Sequence, residues 1–281
     1  MRTIVLGGTG MLGQAVRREG RQRGAAVLAL SRAQADITDR ARLREWCERF
    51  QPELVINCAA YTKVDDCERE KDRAFAVNGV GAGLAAEEAV RAGARLVHVS
   101  TDYVFDGTAA EPYPVDAAVA PVSVYGASKL EGELRVLAQD GTAVVRTSWL
   151  FGPGGPSFVA TIAGRILANQ GPLRVVTDQV GGPTYTRFLA RALWDLAELK
   201  ATGLFHYQNR EATSWYGLAC EIARGLAPGF PVLPTTTEEF PRPARRPAYS
   251  VLDVSRFEAS VGRRVEPWSW GLAEHLRSMT H

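Results

Sequence analysis

Cysteine is scarce in this 281-residue chain, and the four present, Cys47, Cys58, Cys67 and Cys220, show no C-x-x-C spacing. The histidines at 98, 206, 275 and 281 do not accompany them at metal-ligand intervals, so buried, reduced thiols are expected and a metal site is not. Blocks of single-sign charge are missing too. The 33 basic and 31 acidic residues are mixed along the chain for a net charge of +2, and nothing global points to nucleic acid. No apolar run approaches the roughly 20 residues needed to span a bilayer, which argues against a membrane role. The chain enters an apolar strand at Thr3 without the basic stretch, long apolar stretch and small-residue cleavage site of a leader, so a cytoplasmic location is expected. No internal repeat is present, and no low-complexity segment beyond the Arg/Pro stretch at 240–247.

What is present is the alternation of a parallel sheet. Short apolar runs (Thr3 to Leu6, Ala26 to Leu30, Leu54 to Asn57, Arg95 to Val99) are interleaved with helical periodicity starting near Leu12 and near Asp39. A further helix is expected over about Ser123 to Ala138, followed by a strand over Ala143 to Thr147. With 46% hydrophobic residues, the chain has material for one large α/β domain and a smaller satellite. After Trp149, Gly/Pro punctuation marks loops between short elements. The expected fold is α/β: a Rossmann-type doubly wound parallel sheet with a smaller α/β substrate-binding domain. Residues 1–150 with about 184–210 form the first, and about 151–183 with 211–281 the second.

Gly8-Thr9-Gly10-Met11-Leu12-Gly13 matches G-x-G-x-x-G between a strand and a helix, and Gly7 extends it to a Gly7, Gly10, Gly13 spacing. Glycines permit the tight turn and let backbone approach a pyrophosphate at the helix N-terminus. The second strand ends Leu30-Ser31-Arg32. Arg32 with Ser31 favours NADP(H), because a carboxylate there would repel the 2′-phosphate, whereas Asp36 approaching the adenosine end would allow NAD(H). Small residues in Asn57-Cys58-Ala59-Ala60, after the third strand, would let a cleft wall lie close to the cofactor; simple tight packing is the alternative.

Tyr125 and Lys129 are four apart and share a helix face, with the ammonium close enough to favour the phenolate. Carbonyl reduction needs a proton donor and a hydrogen-bond donor at the oxygen that gains charge, and Tyr125 and Thr101 fit these roles. Thr101 ends a strand, so it meets the start of the Tyr125 helix outside the carboxyl edge of the sheet.

On these segments the chain resembles the extended short-chain dehydrogenases/reductases, and among them the dTDP-4-dehydrorhamnose reductase family. The matching stretches also include Tyr61-Thr62, Val64-Asp65, Ala76-Val-Asn78, Ser100 to Gly107, Arg146 to Trp149, Asp178-Gln179, Pro183-Thr184 and Arg246-Pro247 with Ser250, Leu252 and Asp253. The resemblance implies reduction of the 4-keto group of a dTDP-6-deoxy-hexulose with NADPH, NADH being the alternative, by Thr101, Tyr125 and Lys129. It implies a cofactor set of Gly7, Gly10, Met11, Leu12, Gly13, Ser31, Arg32, Asp36, Ile37, Cys58, Ala59, Ala60, Tyr61, Asn78, Ser100, Tyr125 and Lys129. Thr101, Asp102, Tyr103, Trp149 and Arg246 would meet the dTDP-sugar, Arg246 at its diphosphate. Some relatives carry a glutamate on the first helix that helps bind magnesium at a dimer interface; Ala15 stands there, which counts against metal-dependent dimerisation and leaves a monomer or homodimer. A 4,6-dehydratase would be expected to have Asp-Glu after the threonine, whereas Asp102-Tyr103 follows here, and an epimerase would retain NAD, which Arg32 fits poorly. A reductase of another deoxysugar shares the scaffold, and a non-catalytic NADP-binding regulatory subunit is the reading from a different class.

Overall fold

Six short runs rich in Val, Ile, Leu and Ala line up side by side in one sheet, as seen in a computed structural model that describes residues 1–279. They are β1 (Arg2–Leu6), β2 (Ala26–Leu30), β3 (Leu54–Asn57), β4 (Arg95–Thr101), β5 (Thr142–Thr147) and an edge strand, Gly203–His206. All pairings are parallel, and the order runs edge strand, β5, β4, β3, β1, β2. Every residue of β3 and β5 is buried, as expected of strands covered on both faces. The winding reverses between β1 and β3, and the crevice outside their carboxyl ends is where open α/β sheets take ligands.

Helices cover both faces. On one side α1 (Met11–Gln22) packs against the helix Thr186–Glu198, where Trp194 fills the layer with Val16 and Leu193 and donates from Nε1 to the Val16 carbonyl at 2.9 Å. Gly20 makes room for it, since a Cβ there would stand 2.2 Å from the indole. On the other side α2 (Arg40–Phe50), capped by Asp39, packs with the helix Ala82–Arg91 over Ile4, Leu6 and Leu96. A π-helical turn, Phe75–Gly81, precedes Ala82 and was not foreseen from the periodicity.

The region after Trp149 has its own apolar cluster, in which the helices Phe158–Leu167, Trp215–Leu226 and Trp268–Met279 pack around Phe151, Tyr185 and Leu173. Its strands are short: a parallel pair, Leu173–Val176 with Val232–Thr235, and two-residue ribbons. This is the smaller α/β unit beside the Rossmann-type sheet. The helix Thr186–Glu198 and the edge strand belong to the sheet's layers. The last two residues of the second segment, including His281, lie outside the described residues. Among the described residues no helix is long and apolar enough to cross a membrane.

Candidate active site

The glycine-rich turn sits at the reversal point between β1 and β3. Gly7 has φ +71°, and a Cβ on Gly13 would stand 2.2 Å from the Gly7 carbonyl oxygen, so the turn closes on its own backbone. A Cβ on Gly7 would meet the Ala59 backbone nitrogen at 2.8 Å, which places Ala59 against the turn. Gly10 caps α1 without a side-chain hydrogen bond, so the first-turn amides have no side-chain acceptor, as a pyrophosphate site requires. Met11 is half-buried at this rim. Leu12, expected among the cofactor residues, turns its side chain into the core, as does Ile37, so any contact from these two falls to their backbone. The second region reaches this turn: Gln14 Nε2 donates to the Thr9 carbonyl at 2.8 Å and to the Gly154 carbonyl at 3.0 Å.

At the adenosine end Arg32 is exposed and pairs with Asp36, Nε to Oδ2 at 3.0 Å. The two residues weighed against each other for cofactor preference thus form one ion pair. Asp36 lies below the usual carboxylate range: the burial that would raise it is outweighed by hydrogen bonds from Thr38 and Arg32. Ser31 donates from its hydroxyl to Gln34 Oε1 at 2.8 Å.

Asn78 and Ser100 differ from expectation. Asn78 accepts from Tyr61 N–H at 2.7 Å and donates to the Tyr61 carbonyl and to Ser128 Oγ, both at 3.0 Å. Both amide donors are spent, so it pins the Cys58–Tyr61 wall to the Tyr125 helix and has none left for a ligand. The Ser100 hydroxyl donates to Glu133 Oε1 at 2.5 Å, away from the cleft. Glu133 is also held by Arg146, Nη2 to Oε2 at 2.7 Å, in an ion pair almost fully withdrawn from solvent. The Cys58 thiol is pushed up to about 12 by burial and stays protonated.

The chemical centre gathers where β4 ends. The helix Val124–Leu137 starts there, capped by Ser123 accepting from Gly126 N–H at 3.2 Å. Gly126 lets it approach, since a Cβ would fall 2.1 Å from the Tyr103 carbonyl. Tyr125 lies beside Thr101, and its ring meets Tyr103 edge to face at 5.5 Å. Thr101 donates to Asp102 Oδ1 at 3.0 Å and accepts from Tyr103 N–H at 3.2 Å. Asp102 is buried, which lifts its carboxyl to about 6 despite the hydrogen bonds it accepts. One expectation is corrected here. Lys129 is buried and points its Nζ at the Val99 carbonyl (2.7 Å) and His98 Nε2 (3.2 Å), and burial raises the Tyr125 phenol above its ordinary value. Dehydration of the phenolate is the largest influence on Tyr125 and outweighs the hydroxyl of Thr101, which acts the other way. His98, which carried no motif, proves to be the lysine's neighbour.

At the sugar end Trp149 adopts φ +45° and stacks on Trp215 with ring centres 3.4 Å apart. Gly181 leaves room for the indole, and Trp215 is fixed by Nε1 donating to Gln179 Oε1 at 3.1 Å. Phe158 continues this aromatic wall at 4.5 Å from Trp215. Trp215 and Phe158 lie in no matched segment. Arg246, expected on phosphate, instead binds Asp65 through both oxygens at 3.1 and 3.2 Å, and Arg242 joins at 2.5 Å. Although burial opposes it, these bonds hold the Asp65 carboxyl down at about 2. The Arg/Pro loop is thereby clasped to Asp65, four positions past the Cys58–Tyr61 wall.

A glycine cradle beside a tyrosine, threonine and lysine at the ends of parallel strands matches known proteins along the whole chain. The profile of the RmlD substrate binding domain covers residues 1–281. The chain belongs to the dTDP-4-dehydrorhamnose reductase family. Its similarity to the dTDP-4-dehydrorhamnose reductase of Streptomyces griseus is 43% identity, covering 99% of this chain and 94% of that protein. A probable dTDP-4,6-dihydroxy-2-methyloxan-3-one 4-ketoreductase of Streptomyces antibioticus is 41% identical, over 98% of this chain and 94% of that one. Among solved structures, the dTDP-4-dehydrorhamnose reductase of Bacillus anthracis in complex with NADP superposes with a TM-score of 0.93, at 34% identity over 99% of both chains. This chain is therefore an oxidoreductase of the NAD(P)-dependent dTDP-sugar reductase family.

Proposed function

We propose that this reductase converts dTDP-4-dehydro-L-rhamnose to dTDP-L-rhamnose with NADPH. The observation that carries the reading is that Tyr125, near the start of the helix Val124–Leu137, stands beside Thr101 at the end of β4, next to the glycine cradle. NADPH supplies the hydride, and the cradle fits its pyrophosphate because Gly7, Gly10 and Gly13 leave backbone where a Cβ would stand. Tyr125, kept protonated by its surroundings, gives its proton to the oxygen that gains charge. Thr101 supplies a second hydroxyl at that oxygen by turning from Asp102. Tyr103 and the Trp149 face line the sugar's place, the latter offering a flat apolar surface to a deoxysugar. Residues 1–150 with 184–210 hold the cofactor, and the remainder holds the sugar nucleotide.

The first experiment is NADPH oxidation at 340 nm with substrate generated in situ from dTDP-glucose by the upstream dehydratase and epimerase. Turnover that depends on the epimerase, with dTDP-L-rhamnose identified by mass and retention, is the expected result. Turnover without the epimerase favours a second reading, reduction of a different 4-keto deoxysugar, which the 41% identity to the Streptomyces antibioticus protein supports. Tyr125→Phe is expected to bind NADPH normally and lose about 10²- to 10⁴-fold in turnover. Binding of NADPH with no turnover on any dTDP-4-keto sugar would move the assignment to a regulatory subunit.

A further inference from the structure

Trp149 sits in the left-handed region, with φ +45°, where a side chain of its bulk is strained. A residue stays in such a conformation only where its surroundings impose it. Three contacts do so here. Thr184 N–H donates to the Trp149 carbonyl at 3.1 Å, Gly181 leaves the space that the indole fills, and the Trp215 ring lies within 5° of parallel to it with ring centres 3.4 Å apart. Of the three, only Trp215 presses a side chain on the indole itself. Thr147, two residues before Trp149, pairs with Thr101 across β4 and β5, so the indole starts from the same sheet edge as the catalytic threonine.

Trp215 is held from two sides. Its backbone opens the helix Trp215–Leu226, capped by Ser214 accepting from Gly217 N–H at 3.0 Å, and Ser214 pairs with Val180 in an antiparallel ribbon. Its indole N–H donates to Gln179 Oε1 at 3.1 Å. The direction of that amide is fixed from behind. The one proton of the Thr237 hydroxyl goes to Asp178 Oδ1 at 2.8 Å, so Thr237 Oγ1 accepts from Gln179 Nε2 at 2.9 Å and the amide oxygen is turned to the indole. An indole nitrogen donates only, and a reversed amide would set N–H against N–H.

We infer that Trp215 is a positioning residue for sugar binding, which holds the Trp149 indole in its left-handed conformation and is itself set by the hydrogen-bonded chain of Asp178, Thr237 and Gln179.

This rests on the proposed reading that Trp149 meets the sugar. Asp178 and Gln179, matched in sequence and absent from the catalytic set, then act on the sugar through two stacked rings. Trp215 and Thr237 lie in no matched segment at all.

The sequence has six tryptophans, so the full chain labelled with 5-fluorotryptophan gives six 19F signals, and Trp149→Phe identifies that of Trp149. Stacking against a second ring displaces such a signal. Gln179→Leu removes the anchor and keeps both rings, and the Trp149 signal is expected to move toward that of the free amino acid; in Trp215→Leu it is expected to move further. The signals of Trp46 and Trp194, which pack in the layers of the sheet, are expected to stay in place and report an intact fold. Should Trp215→Leu fail to fold, Trp215→Phe, with a ring but no N–H, decides in its place. A Trp149 signal unmoved in the folded variants overturns the inference.

With whichever dTDP-4-keto sugar the wild type reduces, Trp215→Leu and Gln179→Leu are expected to raise KM for the sugar about 10-fold or more while KM for NADPH holds, and Trp215→Phe is expected to recover part of the loss. A sugar KM that stays put while the Trp149 signal moves overturns the role in sugar binding. Absence of wild-type turnover on any such sugar would count against the proposed reaction and not against the placement of Trp149, which the 19F signal decides without sugar or cofactor.

Discussion

The sheet and the region after Trp149 reach order by different means. In the sheet, a ladder of parallel pairings runs through six strands with apolar layers on both faces, and position is fixed by repetition. After Trp149 no strand exceeds four residues, and single polar contacts carry the alignment. Asp178 accepts from Thr237, Gln179 from Trp215, and Asp65 from two arginines 177 and 181 residues away. A ladder survives the loss of one rung, whereas a single hydrogen bond fixes a loop only while both partners are present. The contrast suits a rigid cradle for a constant cofactor beside a pocket whose walls come from a few exchangeable side chains.

Gly13→Ala strikes the ladder side where repetition gives no relief. Its Cβ would press 2.2 Å from the Gly7 carbonyl oxygen, a backbone atom with no room to give way. NADPH binding measured by fluorescence is expected to weaken at least about 10-fold, with stability lowered by about 1–3 kcal/mol, the usual range for overpacking. Unchanged binding would break the view of the turn as a rigid cradle. Asp65→Asn strikes the other side. Removing the carboxylate from Arg242 and Arg246 is expected to speed proteolysis of the 240–247 loop while NADPH affinity holds; equal protection would show that the clasp does not order the loop.

Acid acts on both sides through two windows. Burial lowers His206, on the edge strand, from its ordinary 6.5 to about 3. The unfolded chain therefore takes up a proton that the fold refuses, and the stability present above pH 6.5 is lost as pH falls toward 3. His98 and, in the second region, His275 shift the same way. Asp65 adds a later window, with stability present above its ordinary 3.8 and lost as pH falls through about 2. Melting temperatures from pH 7 to 3 should fall first through the histidine window; a flat profile down to pH 4 would contradict burial of these rings. The smallest effect on stability is expected of Arg32→Ala, because that side chain is 68% exposed. Its melting point should hold while the Michaelis constant for NADPH rises far more than that for NADH, and equal rises would remove Arg32 from cofactor choice.

Much of the sheet was legible because burial on both faces leaves its strands as apolar runs, and the glycine turn because backbone contact leaves no substitute for glycine. The Tyr125 helix was legible from spacing alone. What could not be read were contacts between distant segments. Nothing near Asp65 announces Arg246, and Trp215 stacks on Trp149 across 66 positions without a pattern to join them. Lys129 was read as the neighbour of Tyr125 since helical spacing puts both on one face, but spacing does not say which way a long side chain bends. Burial decided that, and His98 stood at the end of the bend. The resemblance puts Ser100 and Asn78 among the cofactor contacts, and in this structure their side-chain hydrogen bonds hold elements together.

The ion pair of Glu133 with Arg146 constrains how this protein can diverge. Each partner sits almost wholly inside, and removing either alone would strand the other's charge at a cost of about 3–5 kcal/mol, a large share of a typical domain's stability. Exchange of both for well-packed apolar residues carries no such penalty. A lineage can therefore leave this pairing by a double step but not by either single one, and drift at position 133 should be readable from what stands at 146.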